Sequence, residues 1–179
     1  MYVLGDKFAF IGHPRTASRA TGKALVAAGC DTHDGHHTAV PKRCEQILAD
    51  GGIVACTIRN PFDLAVSWYF NWHFEERGVR TKPGEFEPYV LGGFKSGYYV
   101  EDNDPYYYGL QWANRVLRFE NLEEDLHNLM LEAGMEPVKT EPYGVLERDR
   151  DYRVYYNDVT KAAVAKRFAT DLLLTGYEF

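Results

Sequence analysis

The stretch Phe8-Ala9-Phe10-Ile11-Gly12-His13-Pro14-Arg15-Thr16-Ala17-Ser18-Arg19 decides the fold. Its four opening residues are apolar and uncharged, which predicts a strand buried on both faces. A polar turn follows, and a helix is predicted over residues 18–28. Such a turn presents backbone N–H groups at the positive end of a helix, where a phosphate or sulfate binds readily. Arg15 adds a permanent cation, and Thr16 and Ser18 add hydroxyl donors.

This turn is not a Walker A loop, which requires Gly, four residues, and then Gly-Lys-Ser/Thr. Counting from Gly12, the last three positions fall on residues 17–19, which are Ala-Ser-Arg. The pair Gly22-Lys23 lies inside the predicted helix and is followed by Ala24. An ATP or GTP site of that type is therefore disfavoured. On this stretch alone, an ordinary strand-to-helix turn with incidental polar residues is an equal alternative.

The length of 179 residues and the 45% hydrophobic content predict one globular domain with one sizeable core. The net charge of −6 gives no basic footprint for nucleic acid. An acidic protein that binds an anion must do so through a local cluster of cations and amides. The sequence therefore excludes a nucleic-acid partner and leaves an anionic ligand possible.

The three cysteines, Cys30, Cys44 and Cys56, are odd in number and widely spaced, without metal-ligand spacing. Free thiols in a reducing compartment are the simplest interpretation, so we expect a cytoplasmic location and no metal. The first residues lack the pattern of a signal peptide, and no run of about 18 apolar residues predicts a membrane span.

Strands predicted at residues 8–11, 53–58 and 114–119 alternate with helices. This alternation predicts right-handed βαβ units and a three-layer α/β/α fold with a central parallel sheet. Ligands in such sheets bind at the carboxyl ends of the strands. A short strand is also predicted at the start of residues 30–40. Helices are predicted at 41–49, 61–74, 85–91 and 122–133, and a last one is capped by Asp158.

A second anion-binding group is predicted where the 53–58 strand ends. Arg59 closes that strand, Asn60 is a good helix N-cap, and Pro61 fits the first helical position. Asp63 and Ser67 are four residues apart and share a helix face. An arginine and a hydroxyl so placed can hold one phosphate from two sides. The alternative is an arginine that only neutralises a carboxylate, with a serine facing solvent.

These residues together resemble a known family. The segment Arg59-Asn60-Pro61-Phe62-Asp63-Leu64-Ala65-Val66-Ser67 resembles the 3′-phosphate motif, Arg-[Asn/Asp]-Pro-x-Asp-x-x-x-Ser, of sulfotransferases that use 3′-phosphoadenosine 5′-phosphosulfate (PAPS). Residues 13–18 resemble the family's 5′-phosphosulfate loop, Pro-[Lys/Arg]-[Thr/Ser]-Gly-[Thr/Ser]. Residues 117–122 resemble its Tyr-Glu-Asp/Asn-Leu stretch, and residues 168–179 resemble its C-terminal helix and Gly-Tyr-x-Phe tail.

The resemblance implies the P-loop NTPase-like sulfotransferase fold, as one domain over residues 1–179. Residues 75–108, long and irregular, are then an acceptor-side or lid insertion, with a helical turn near 106–112. The tyrosines at 98–99 and 106–108 would stack on an acceptor or pack as part of that lid. Ala17 departs from the family pattern, because the loop usually has Gly there. A side chain at this position is expected either to crowd the phosphate or to demand a standard backbone angle.

The resemblance also implies the roles of the site residues. Arg15, with the amides of residues 16–19 (Thr16, Ala17, Ser18 and Arg19), would hold the 5′-phosphate and the bridging oxygen. Arg59 and Ser67 would hold the 3′-phosphate, which distinguishes PAPS and its product PAP, adenosine 3′,5′-bisphosphate, from ATP. Arg148 and Tyr152 precede the last helix, where the family folds a loop over the nucleotide. They would contact the 3′-phosphate and adenine, or belong to a solvated charged loop.

A hydroxyl acceptor needs a general base near neutral pH, and histidine suits this best. His37 is preferred, followed by His36 and then His33, because related enzymes place an active-site residue after the first helix. Asp34 or Glu120 is the carboxylate alternative, and exposed loop histidines without a role are another. The acceptor is expected to be a small molecule or carbohydrate. Two alternatives remain: a non-catalytic nucleotide-binding relative, and a P-loop kinase acting on a small molecule.

Overall fold

The computed structural model describes residues 1–33, 40–77, 85–93, 107–142 and 148–179, with the main chain alone for 72–77. These residues form an α/β structure with a mixed five-stranded open sheet and seven α-helices. The chain divides into two compact units. Unit 1 comprises Met1–Arg59 and Tyr107–Gly144, and unit 2 comprises Asn60–Tyr106 and Val145–Phe179. The single sulfotransferase-like domain stays a prediction.

Unit 1 contains the whole sheet. Its strands are β1 (Tyr2–Leu4), β2 (Phe8–Ile11), β3 (Asp31–Thr32), β4 (Ile53–Ile58) and β5 (Arg115–Arg118). They lie in the order β3-β1-β2-β4-β5. Strand β2 lies at the centre and pairs in parallel with β4, which pairs in parallel with β5. The three strands predicted from the sequence are thus confirmed as parallel neighbours.

The predicted central parallel sheet is found for β2, β4 and β5, but the sheet as a whole is mixed, because β1 runs antiparallel to the other strands. It pairs antiparallel with β2 on one side and with β3 on the other. The reason is a tight turn between β1 and β2 at Gly5, whose φ of +53° favours glycine. Since β3 is antiparallel to β1, it points the same way as β2. The weak strand predicted at the start of residues 30–40 is confirmed as β3.

Three helices belong to unit 1: α1 (Ser18–Ala27), α2 (Pro41–Ala49) and α5 (Leu122–Glu132). Apolar side chains of α1 and α5 form one hydrophobic core with side chains of the sheet, including Phe8, Phe10 and Leu117. Gly22 is needed here, because a Cβ at this position would lie 2.1 Å from the ring of Tyr2. Gly22 therefore serves the packing of α1 against β1.

Unit 2 is built around α3 (Pro61–Arg77), with α4 (Phe86–Leu91), α6 (Asp158–Arg167) and α7 (Ala169–Thr175). All residues from Pro61 to Phe70 are buried, as expected of a helix that is apolar on every side. Its aromatic side chains pack edge-on against neighbours, such as Tyr69 on Phe86 at 5.4 Å between ring centroids. Each such buried ring contributes roughly 1.5–3 kcal/mol through its apolar area.

Two predictions for the C-terminal helix are wrong, one on its N-cap and one on its length. Asn157, not Asp158, caps α6: its side chain accepts the N–H of Thr160 (2.9 Å), and the Thr160 hydroxyl accepts the N–H of Asn157 (3.0 Å). The last helix is also two helices, separated at Phe168. This residue is 1% exposed and packs near Trp68, so tertiary packing interrupts a helix that has no Gly or Pro.

The three cysteines are free and buried. Burial raises the pKa of the Cys30 thiol to about 11 and that of Cys56 to about 12, and also raises the pKa of Cys44. A shift from the ordinary value of 9.0 to about 11 leaves about 100-fold less thiolate, the reactive form. Modification of Cys30 by a thiol reagent at pH 8 is therefore expected to be about 100-fold slower in the folded protein than in the urea-unfolded protein.

The same shifts set an expected alkaline limit on stability. Because the folded-state pKa values are raised, the unfolded chain loses its thiol protons first as the pH increases. The free energy of unfolding should therefore be unaffected below about pH 8.5 and fall towards pH 11. Urea denaturation at pH 8 and pH 10 measures this, and equal stability at both would contradict the burial of the thiols.

Candidate functional site

Two predicted anion-binding segments leave the sheet at the same edge and from neighbouring strands. The loop after β2 begins at Gly12, and Arg59 follows the last residue of β4. The parallel pairing of Ile11 with Cys56 sets the ends of these strands side by side. The orientation of β3 brings His33 to the same edge of the sheet. This carboxyl edge is where open α/β sheets bind ligands.

The loop between β2 and α1 has two left-handed residues. Arg15 and Ala17 both have a φ of +60°, and Ala17 is the N-cap of α1 with a ψ of 19°. The expectation that alanine would demand a standard backbone angle is therefore wrong. Its Cβ costs about 1–2 kcal/mol in this conformation. A left-handed residue followed by the helical Ser18 has the alternating geometry of a nest, a concavity formed by consecutive amides that binds anions.

Two amides of this loop, those of Thr16 and Ala17, point away from every acceptor in the part of the chain that is described. Among the described residues, the N–H groups of Thr16 and Ala17 make no hydrogen bond. The Ala17 carbonyl accepts the N–H of Thr21 at 3.0 Å, so the helix begins directly behind it. Unpaired amides at a helix N-terminus carry partial positive charge. The loop thus has the backbone form of an oxyanion site.

The Thr16 side chain has a different role from the one predicted. Its hydroxyl donates to the carbonyl of His13 at 2.8 Å, and the residue is fully buried. A hydroxyl has one hydrogen, so in this arrangement the Thr16 side chain stabilises the loop, and its amide is the Thr16 donor left for an anion. Ser18 is also buried, at 3% exposed, whereas Arg19 is exposed.

Relief of the left-handed strain gives a direct test of the loop. Ala17→Gly is expected to raise the free energy of unfolding by about 1 kcal/mol, because glycine adopts a positive φ without a Cβ penalty. The matched control is Ala20→Gly in the body of α1, which should lower it by about 1 kcal/mol. Urea denaturation of both variants measures the difference, and a loss of stability in Ala17→Gly would contradict the loop geometry.

His13 ties the loop to two other parts of unit 1. The ring is fully buried, with Nδ1 3.0 Å from the Thr57 carbonyl and Nε2 3.2 Å from the Gly109 amide. Because the carbonyl only accepts and the amide only donates, the ring is neutral with its proton on Nδ1. The rings of Tyr107 and Tyr108 pack against it edge-on. His13 therefore fixes the end of β2 against β4 and the turn Tyr108–Gln111.

Arg59 reaches the loop directly. Its Nη1 donates to the carbonyl of Arg15 at 2.8 Å, and its guanidinium lies 3.9 Å from the centre of the Phe119 ring. The residue is only 5% exposed. A stacked, planar guanidinium keeps a defined orientation, as recognition of a phosphate by two parallel hydrogen bonds requires. A hydrogen bond thus joins Arg59 to the other predicted anion-binding segment.

Sequence reasoning missed two residues of this arrangement, His13 and Tyr107. The Tyr107 hydroxyl accepts the Arg59 N–H at 3.0 Å and donates to the Arg59 carbonyl. Tyr107 was assigned only to an acceptor-stacking or lid cluster, and it lies instead in the core of unit 1, 1% exposed. The available signal was weak: a histidine directly after a buried strand and a run of three tyrosines.

The rest of the 59–67 motif belongs to unit 2. Asn60 acts as predicted at the start of α3, its Oδ1 accepting the Phe62 N–H at 3.0 Å. Its Nδ2 donates to the Tyr152 hydroxyl (3.2 Å) and to the Glu178 carbonyl (2.9 Å). The motif is thereby joined to the C-terminal segment. Ser67 is buried on α3, at 2% exposed, and does not face solvent.

Arg148 pairs with the motif's carboxylate. Its Nη2 lies 2.6 Å from Oδ1 of Asp63, and the two side chains are 13% and 12% exposed. A pair this deeply buried requires both partners, because either charge alone would be costly to desolvate. Arg148 and Tyr152, predicted to contact the nucleotide, therefore contact Asp63 and Asn60 of the motif. Both side chains are mostly buried, whereas the charged residues between them, 149–151, are exposed.

Only some of the candidates for the general base lie in the described residues. His36, His37 and Asp34 lie outside the described residues, as does most of the 75–108 segment. His33 and Glu120 are described and exposed. Within the described ranges, no three His, Cys, Asp or Glu side chains are grouped so that they could hold a metal ion.

No protein-family model matches this chain, and no curated protein matches it. In the part of the chain that is described, no helix is both long and apolar enough to span a membrane. The function must therefore be argued from the site itself.

Proposed function

We propose that this chain is a PAPS-dependent sulfotransferase with a P-loop-like sulfotransferase fold. The hydrogen bond from Arg59 to the Arg15 carbonyl carries the proposal. It joins the two segments that the resemblance assigns to the two phosphates of one nucleotide. A turn that binds a single anion would not need a buried arginine from β4, the neighbouring strand in the sheet. A nucleotide with phosphates on both sides of its ribose needs a second cationic group, which Arg59 would supply.

The loop after β2 supplies the proposed site for the 5′-phosphosulfate. The amides of Thr16 and Ala17, followed by those of Ser18 and Arg19 at the start of α1, would bind its oxygens, and Arg15 would add a positive charge. Sulfuryl transfer breaks the S–O bond to the 5′-phosphate and forms an S–O bond to the acceptor. The leaving phosphate keeps the electron pair, so negative charge grows on the bridging oxygen during transfer. Fixed amides and a cation stabilise that charge without reorganising.

Arg59 is the proposed donor to the 3′-phosphate, and the motif alone assigns Ser67 as a second donor. Stacking on Phe119 orients the guanidinium for two parallel hydrogen bonds to phosphate oxygens. For Arg148 and Tyr152 we propose a supporting role, because their contacts are with Asp63 and Asn60 of the same motif. A direct contact of either with the nucleotide stays a prediction from the sequence.

The acceptor is proposed to be a small-molecule or carbohydrate hydroxyl, or an amine. For a hydroxyl, a base must take the proton as the new S–O bond forms. His37 is the first candidate and His36 the second. His37→Ala is expected to lower turnover by about 100-fold or more, as loss of a general base does, while PAP affinity stays unchanged. Wild-type turnover in this variant would refute the assignment.

Titration calorimetry with PAP, AMP and ATP tests the proposal. We expect micromolar binding of PAP and at least about 10-fold weaker binding of AMP, which lacks the 3′-phosphate. A preference for ATP would support a kinase and contradict the proposal. Binding of PAP without transfer to any sugar, phenol or amine would support the non-catalytic alternative.

We also propose a cytoplasmic location. It is supported by the three cysteines, which are free thiols and therefore suit a reducing compartment.

A further inference from the structure

Unit 1 holds Arg59 at three points. One phenol hydroxyl, that of Tyr107, pairs with both the N–H and the carbonyl of Arg59. The Arg15 carbonyl accepts a hydrogen bond from the guanidinium, and the Phe119 ring lies against its face. We call Tyr107 and Phe119 the Arg59 bracket. Neither residue belongs to the 13–18 or the 59–67 motif, although Phe119 lies in the 117–122 stretch of the resemblance, which assigned it no role.

The Tyr107 contact fixes the main chain at the point where it leaves the sheet. Arg59 is the first residue after β4, which ends at Ile58. Pairing both polar groups of one residue with a single hydroxyl restrains the peptide units on either side of it, and therefore the direction in which its side chain leaves the chain. Tyr107 is 1% exposed, so water cannot readily replace its hydroxyl.

The Phe119 contact acts at the other end of the side chain. An arginine has several rotatable bonds, whose freedom is lost when the guanidinium binds a ligand. A stacked guanidinium has already lost part of that freedom. Phe119 itself is partly buried at the end of β5, in the turn Phe119–Asn121, so it provides a surface in a fixed position.

We propose that Tyr107 and Phe119 are positioning residues that set the Arg59 guanidinium for the 3′-phosphate of the nucleotide, an inference that rests on the proposed function. They touch neither phosphate nor sulfate and act through Arg59 alone. The bracket therefore determines selectivity for a 3′-phosphorylated nucleotide over one that carries only a 5′-phosphate. It leaves the 5′-phosphate affinity to the amides of the β2–α1 loop.

The test is the ratio of the AMP and PAP dissociation constants, measured by calorimetry. Tyr107→Phe and Phe119→Leu are each expected to lower that ratio about 10-fold, with AMP affinity changed less than about 2-fold. Tyr108→Phe, in the adjoining turn, is the matched control and should keep the wild-type ratio. In an Arg59→Ala background, neither bracket variant should lower the ratio further, because a residue acting only through Arg59 has no separate effect.

The outcomes separate the two proposals. A wild-type chain without preference for PAP over AMP would overturn both the proposed function and the bracket. A wild-type preference that both variants retain would overturn the bracket alone. Equal losses of AMP and PAP affinity would also overturn it, because they indicate a general structural role. If Tyr107→Phe fails to fold, Phe119→Leu still provides the test, since Phe119 is less buried.

Discussion

Arg59→Ala is expected to lower the affinity for PAP by about 100-fold or more. Two hydrogen bonds to a charged phosphate contribute about 1.5–3 kcal/mol each, and 1.4 kcal/mol corresponds to a tenfold change in affinity. The guanidinium is stacked and mostly buried, so little of this interaction is screened by solvent. Titration calorimetry of the variant with PAP and with AMP measures the effect and its dependence on the 3′-phosphate.

Two further variants define what Arg59 contributes. Arg115→Ala removes an exposed arginine of β5 that pairs with Glu132, so it controls for loss of positive charge and should leave PAP affinity unchanged. Arg59→Lys keeps the charge but loses the planar fork and should bind PAP with intermediate affinity. An equal loss of AMP and PAP affinity in Arg59→Ala would mean that Arg59 supports the loop and does not bind the 3′-phosphate.

His13→Ala is expected to lower the free energy of unfolding by about 3 kcal/mol. The change leaves the Thr57 carbonyl and the Gly109 amide without their partner in a fully buried place, and each unpaired group costs about 1–3 kcal/mol. It also leaves a cavity where the ring packed against Tyr107 and Tyr108. Urea denaturation followed by fluorescence and circular dichroism measures the shift in midpoint.

The matched control is His127→Ala on α5, whose side chain is exposed. It should change stability by less than about 0.5 kcal/mol. A loss below about 1 kcal/mol in His13→Ala would mean that water or a shift of the turn satisfies the two backbone groups. In that case, His13 would not fix the end of β2.

Helices and strands could be predicted from the sequence where the local sequence pattern and the tertiary packing favour the same structure. Helix α2 begins and ends as predicted, at Pro41 and Ala49, because proline suits the first helical position and the glycines after Asp50 stop the helix. Strands β2 and β4 were predictable from uncharged apolar runs, since both are buried through most of their length. The carboxyl edge that carries Arg59 followed from their parallel order.

The failures have physical causes that a single sequence does not display. Strand β1 has three residues, too few for a periodic pattern, and its pairing depends on the turn at Gly5. The break at Phe168 reflects packing near Trp68 and not a helix-breaking residue. Ala17 adopts a glycine-like angle because the surrounding loop, braced by the Thr16 hydroxyl, fixes it.

The residues of the site that belong to sequence motifs could be predicted. The residues that hold those motif residues in position could not. The motifs name Arg15, Arg59 and Ser67 because a phosphate requires cations and donors at defined spacings. His13 and Tyr107 act through backbone groups that are 44 and 48 residues away along the chain. Contacts of that range depend on the completed sheet, so neither residue could be distinguished in advance from an ordinary buried aromatic side chain.

The proposed nucleotide site, with one phosphate on the β2–α1 loop and the other on Arg59, is tested by a crystal structure of the chain with PAP bound. We expect the 5′-phosphate oxygens about 3 Å from the backbone nitrogens of Thr16 and Ala17, with the 3′-phosphate on the Arg59 guanidinium. A nucleotide bound with its 5′-phosphate away from the β2–α1 loop, or with Arg59 contacting no phosphate, would contradict it.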